Sequence, residues 1–241
     1  MSQLTRRDII VAAATVTAGT ALLSRSTRAS TGSTTAGSAL PRPDKPVPVA
    51  FLLGEGATMI DFSGPWEVFQ DAFVADVPGF ELFTVAAGPE PIRASGGMKI
   101  VPDYTLENAP TPKVIVIPAQ AGGRQPVAGS PKVAWLKAQH ATADVIMSVC
   151  TGAFLLAQTG LLSGLSATTH HSFLDDFAKQ YPSVRLLKNQ RFVENGKLMT
   201  TGGLSSGIEG ALRIVERYYG ADSRTKVANY MEYVSHTWSE A

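Results

Sequence analysis

DVIMSVCTGAFLLAQTGLLSGLSATTHH, running from Asp144 to His171, sets the architecture expected of this chain. It opens on a short apolar run, Val145-Ile146-Met147, with the length and composition of a buried strand. The chain then turns through Ser148-Val149-Cys150-Thr151-Gly152 into Ala153-Phe154-Leu155-Leu156-Ala157, whose spacing suits a helix packed on a sheet. The only cysteine of the 241 residues therefore falls at a strand-to-helix junction. Backbone N–H groups at a helix start are unpaired and the helix dipole favours negative charge there, so a thiol in that place is expected to have a lowered pKa. The same N–H groups, Thr151 first, would stabilise an oxyanion formed by attack of that thiolate. A nucleophile elbow is usually read from Gly-x-Ser-x-Gly, and here Ser148 stands at the first glycine. The plainer reading of a lone cysteine, a small buried apolar residue, stays open on these residues alone.

Working outward, strand and helix signals alternate. Val47 to Leu53, Phe80 to Ala87 and Lys113 to Ile117 read as strands, the last buried on both faces. Pro65 to Val74 reads as a helix with proline in its first turn, and Pro131 to Ala141 and Ser172 to Gln180 as further helices. Val184 to Leu187, Arg191 to Val193 and Leu198 to Thr201 read as short strands, followed by helices over Ile208 to Tyr219 and Ser223 to Ser235. Such alternation argues for an α/β domain with a mainly parallel sheet covered on both faces. Sites in such folds form outside the carboxyl ends of the strands, where Cys150 would lie.

The first 29 residues read as an export signal, with the twin arginine Arg6-Arg7, the small and apolar run Val11 to Leu23, and a weak cleavage site at Thr27-Arg28-Ala29. The apolar run is short for a membrane span of about 20 residues, so no stable insertion after export is expected, a retained anchor being the alternative. The implied destination is periplasmic or extracellular. Residues 30–46, rich in Ser, Thr, Gly and Pro, read as a flexible linker, which leaves 47–241 as one domain. Without residues 1–29 the 21 basic residues drop to 17 and the 20 acidic ones to 19. A near-neutral domain without a basic stripe is a poor candidate for nucleic-acid binding. One cysteine makes no internal disulfide. No His, Cys, Asp and Glu set has metal-ligand spacing, Gly202-Gly203 is too little for a phosphate loop, and His140 and His236 stand alone on helical stretches. No cofactor is expected.

Three ordered segments resemble the DJ-1/PfpI superfamily, and within it the isocyanide hydratase-like branch. They are SVCTGAFLLAQTGLLSGLSATTHH, IDFSGPWEVF from Ile60 to Phe69, and TGGLSSGIE from Thr201 to Glu209. The same motifs occur in the N-terminal domains of some AraC-type transcription regulators. The resemblance implies a flavodoxin-like three-layer sandwich with a nucleophile-elbow cysteine, a small-molecule substrate and a homodimer. It implies that Cys150 attacks the substrate, that Asp61 hydrogen-bonds the cysteine and moves protons, and that Thr151 supplies an oxyanion donor. A carboxyl desolvated beside a thiol should have a raised pKa. A second donor would come from the turn after the Lys113 strand, where the family tends to have Pro-Gly-Gly and this chain has Pro118-Ala119-Gln120-Ala121-Gly122-Gly123. Gln120 and Gly122 are both candidates, and the Gln120 side chain is a candidate to project into the pocket. His170, twenty residues after Cys150, is a further candidate, with His171 at a position usually occupied by Trp. The function implied is hydration of an isocyanide to an N-substituted formamide. A binding or redox-sensing protein using the same cysteine pocket is the alternative, and a cysteine hydrolase, which would need a Cys150–His170 couple, comes after it.

Overall fold

A computed structural model describes residues 37–233. The export signal, the first part of the linker and His236 lie outside the described residues. The central sheet contains β1 (Val47–Leu52), β2 (Phe80–Ala86), β3 (Tyr104–Thr105), β4 (Val114–Ile117), β5 (Val145–Ser148), β6 (Phe192–Asn195) and β7 (Leu198–Thr201). Their order is β6-β7-β5-β4-β1-β2-β3. All neighbours pair in parallel except β6 and β7, which the Gly196-Lys197 turn joins as an antiparallel hairpin.

The apolar strands alternate between two cores. Val49, Phe51, Val114, Val116, Val145 and Met147 enter one, and Ala50, Leu52, Ile115, Ile117 and Ile146 enter the other. The first core is covered by α1 (Met59–Gln70), α5 (Ser206–Tyr219) and α6 (Ala221–Tyr230); the second by α2 (Pro131–Gln139), α3 (Gly152–Gln158) and α4 (Leu174–Gln180). A period of two buried on both sides needs a layer of helices on each face, and the result is the expected flavodoxin-like three-layer sandwich.

Differences from the expectation have local causes. Helix α1 begins at Met59, six residues before Pro65, which sits inside it. Asp61, Gly64, Pro65, Val68 and Phe69 form its buried stripe at i, i+3, i+4, i+7 and i+8, and burial of that stripe outweighs the tendency of proline to open a helix. Asp61 is therefore in the first turn of the helix, ahead of the start at Pro65 expected from the sequence. Part of the supposed linker is docked: Leu40 N–H donates to the Arg217 carbonyl (2.7 Å), and Arg213 and Arg217 donate to the carbonyls of Gly37 (3.2 Å) and Ser38 (3.1 Å).

From β1 the chain proceeds to β2 and β3 on one side, and from β4 to β5 and β7 on the other. The direction switches between β1 and β4. In open α/β sheets the crevice outside the strand ends at this switch is where sites are built.

Candidate active site

The strand-to-helix turn holds Cys150 with φ +57°, a left-handed conformation costly for a non-glycine residue. It persists because its neighbours over-determine it. Val149 N–H donates to the Ile117 carbonyl (2.9 Å), Cys150 N–H to the Gly202 carbonyl (2.8 Å), and Thr169 Oγ1 to the Cys150 carbonyl (2.8 Å). Gly152 is required where it stands, since a Cβ there would overlap the Ile117 carbonyl oxygen.

Asp61 comes to this turn from α1. It is fully buried (0 % exposed), and its Oδ2 accepts the Ala119 N–H at 3.0 Å. Its Oδ1 is buried without a hydrogen bond of normal geometry, although the Cys150 thiol and the Leu204 N–H are near enough to act on the carboxyl. Burial pushes Asp61 up to about 7, against the lowering effects of Ala119 N–H, Cys150 and Leu204 N–H. The raised carboxyl expected from the sequence is present.

The lowered thiol is not. Burial, then the negative charge of Asp61, push Cys150 up to about 12, and the N–H groups of Thr151 and Leu204 offset this only in part. Helix α3 has seven residues, so its dipole is short, and a 7 % exposed sulfur loses more from desolvation than it regains from two N–H groups. The pair therefore holds its shared proton on sulfur with a carboxylate beside it.

Cys150, Asp61 and Thr151 are thus brought together, and Leu204 joins them. Leu204 has φ +53°, which turns its N–H toward the pair. No side-chain pattern marks such a residue; the only sequence signal is its place after Gly202-Gly203. The other candidates do not act on the thiol. Gln120 uses its side chain elsewhere: Nε2 donates to the Leu52 carbonyl (3.2 Å), and Oε1 accepts from Lys132. Gly122, at φ +70°, occupies a turn in which its carbonyl accepts the Gln125 N–H (3.2 Å). Neither acts on the thiol. His170 Nδ1 accepts the Ser172 N–H (3.2 Å), and its ring stacks on His171 at 4.4 Å and packs against Gly203. Its pKa is lowered by burial and by His171, and it makes no interaction with the Cys150 sulfur. It lines a cavity of about 360 Å³ with Thr169, His171, Arg191 and Leu204, whose walls adjoin the cysteine turn. Among the described residues no group of three or more His, Cys, Asp and Glu is placed to hold a metal ion, and no helix is long and apolar enough to cross a membrane.

A flavodoxin-like sandwich with a cysteine in a left-handed turn and a buried acid beside it defines a class, and the comparisons narrow it. The chain belongs to the DJ-1/PfpI family, which it matches over residues 47–217. It is 31 % identical over 186 residues to the isonitrile hydratase of Pseudomonas putida, covering 77 % of this chain and 78 % of that protein. It is 24 % identical to the HTH-type transcriptional regulator GbdR of Pseudomonas aeruginosa, over 80 % of this chain and 52 % of the regulator. Among solved structures, a ThiJ/PfpI family protein from Pseudomonas syringae superposes with a TM-score of 0.70 at 25 % identity, covering 79 % and 76 % of the two chains.

Proposed function

We propose that this protein is a cysteine-dependent hydratase that converts an isocyanide to an N-substituted formamide. The observation that carries the reading is the fully buried Asp61 carboxyl beside the Cys150 thiol, raised to about 7 and with one oxygen lacking a hydrogen bond of normal geometry. Likeness to a protein named isonitrile hydratase supports the substrate class.

In this reaction Asp61 takes the thiol proton as Cys150 Sγ bonds to the terminal isocyanide carbon. The same carboxyl returns that proton to the carbon, giving a thioimidate. Water adds to this carbon, losing one proton to Asp61, and Asp61 passes that proton to the substrate nitrogen. The C–S bond then breaks as Asp61 takes the remaining hydroxyl proton of the adduct; the electron pair returns to sulfur, Asp61 delivers that proton to it, and the formamide leaves. No electron is exchanged with an outside donor. A carboxyl near 7 is suited to give and take protons at neutral pH. The N–H groups of Thr151 and Leu204 act on the sulfur, where negative charge grows and departs.

Incubating the purified domain with an aryl isocyanide and following the formamide by mass spectrometry tests the reading. Product is expected with the native chain and none with Cys150→Ala. Absence of product from a native chain whose thiol is alkylated normally would reject this substrate and favour a binding or redox-sensing role, the reading that likeness to a transcriptional regulator supports. A hydrolase is disfavoured because His170 does not act on the thiol. Export by the twin-arginine route to the periplasm or beyond, and a homodimer, complete the proposal; cell fractionation and analytical ultracentrifugation test them.

A further inference from the structure

Lys132 lies in the first turn of α2, is half-buried, and is not among the groups acting on Asp61 or Cys150. It donates to Gln120 Oε1, while Gln120 Nε2 reaches the Leu52 carbonyl at 3.2 Å and the Pro118 carbonyl at 3.5 Å. The arrangement depends on Gly54, where a Cβ would overlap both the Lys132 Nζ and the Gln120 Oε1. One lysine thus ties the start of α2 to the ends of β1 and β4, the two strands at the switch point.

The turn that Gln120 holds is the one that serves Asp61. Within it, Ala119 N–H donates to Asp61 Oδ2 (3.0 Å), and the Ala119 carbonyl accepts from the N–H of Thr58 (2.8 Å) at the head of α1. Ala121 N–H donates to the Glu55 carbonyl (2.8 Å), closing the turn on the loop after β1. The Ala119 bond is the largest of the influences that lower the Asp61 pKa. A turn free to drift by an ångström would weaken it, because an N–H···O bond falls off steeply with distance and angle.

We propose that Lys132 and Gln120 are positioning residues for Asp61: the ammonium clamps the Gln120 amide, which fixes the Pro118–Ala121 turn and delivers the Ala119 N–H to the carboxyl. The proposal rests on the pairing of Asp61 with Cys150 in the reading above, and not on the isocyanide. Among the described residues, Cys150 is the titratable group acting on Asp61, with the N–H groups of Ala119 and Leu204, and Glu55 is the charged group acting on Lys132.

The test follows the rate of Cys150 alkylation by iodoacetamide against pH, beside the thermal midpoint, in the native chain, Lys132→Met, Gln120→Leu and the double variant. The native rate should rise with a midpoint near 7, as Asp61 ionises and can take the thiol proton while the sulfur attacks. Each single variant should move that midpoint up by about 0.5–1 unit, slowing alkylation about three- to ten-fold at pH values below the midpoint. The double variant should move it no further, as expected of two members of one chain of contacts. Folded single variants with the native midpoint, whatever their loss of thermal stability, overturn the proposal, and so do shifts that add. If Lys132→Met fails to fold, Gln120→Leu alone carries the same two outcomes. A native profile without a midpoint near 7 overturns the Asp61–Cys150 pairing, and the clamp with it.

Discussion

Asp61 is a carboxyl whose use and whose burial pull against each other. Its folded pKa, about 7, lies above the ordinary 3.8, so the folded state holds its proton more tightly than the unfolded chain. Stability from this group is full below about pH 4 and is lost as pH rises toward 7. Asp61→Asn, an uncharged isostere that can still accept the Ala119 N–H, should therefore be more stable than the native chain at pH 8. Calorimetry should show a rise of about 4 °C or more there, closing near pH 4. The same variant should lose turnover by roughly 100-fold or more, and the native activity should climb as pH rises through about 7. Greater stability without loss of turnover would remove Asp61 from the chemistry. The residue types at the pair were legible in the sequence, and so was the direction of the Asp61 shift. The thiol shift was not, because burial and a neighbouring charge exist only once α1 has packed against the cysteine turn.

At the scale of elements, the strand-to-helix turn between β5 and α3 depends on the absence of a side chain at Gly152, where the backbone passes the end of β4. Gly152→Ala would push that turn away from the Ile117 and Pro118 carbonyls, which are backbone and have little room to give. A loss of more than about 2 kcal/mol in chemical denaturation is expected, with slower alkylation of Cys150 in whatever remains folded. Helix α1 also packs closely on α5: a Cβ at Gly64 would stand 3.0 Å from Ile208 Cγ1, and one at Gly207 3.2 Å from Pro65 Cγ. These small residues let α1 and α5 approach, which brings Asp61 and Leu204 to one sulfur. Pro65 misled the reading of α1 because proline is a strong local signal for a helix start, while the reason the helix starts earlier is a buried stripe that only packing rewards.

Over the whole molecule, residues 37–40 close a network on the far side of the domain's sequence. Glu194, 5 % exposed, pairs with Arg213 (2.9 Å) and Arg217 (3.5 Å), and both arginines also hold the carbonyls of Gly37 and Ser38. A chain starting at Pro41 would leave two poorly hydrated guanidinium groups short of acceptors, at about 1–3 kcal/mol. Its thermal midpoint should fall roughly 3–8 °C below that of a chain starting at Gly37; equal midpoints would make the docked segment dispensable. By itself the sequence determined the α/β class, the two-sided sheet and the elbow cysteine, because apolar runs, turn residues and their order are local properties. It also marked Asp61, through a motif. Only the tertiary structure decided that Leu204 offers its N–H, that His170 and Gln120 are engaged elsewhere, and that the thiol keeps its proton. Those outcomes depend on backbone direction, neighbouring carbonyls and exclusion of water, which arise when segments distant in sequence meet.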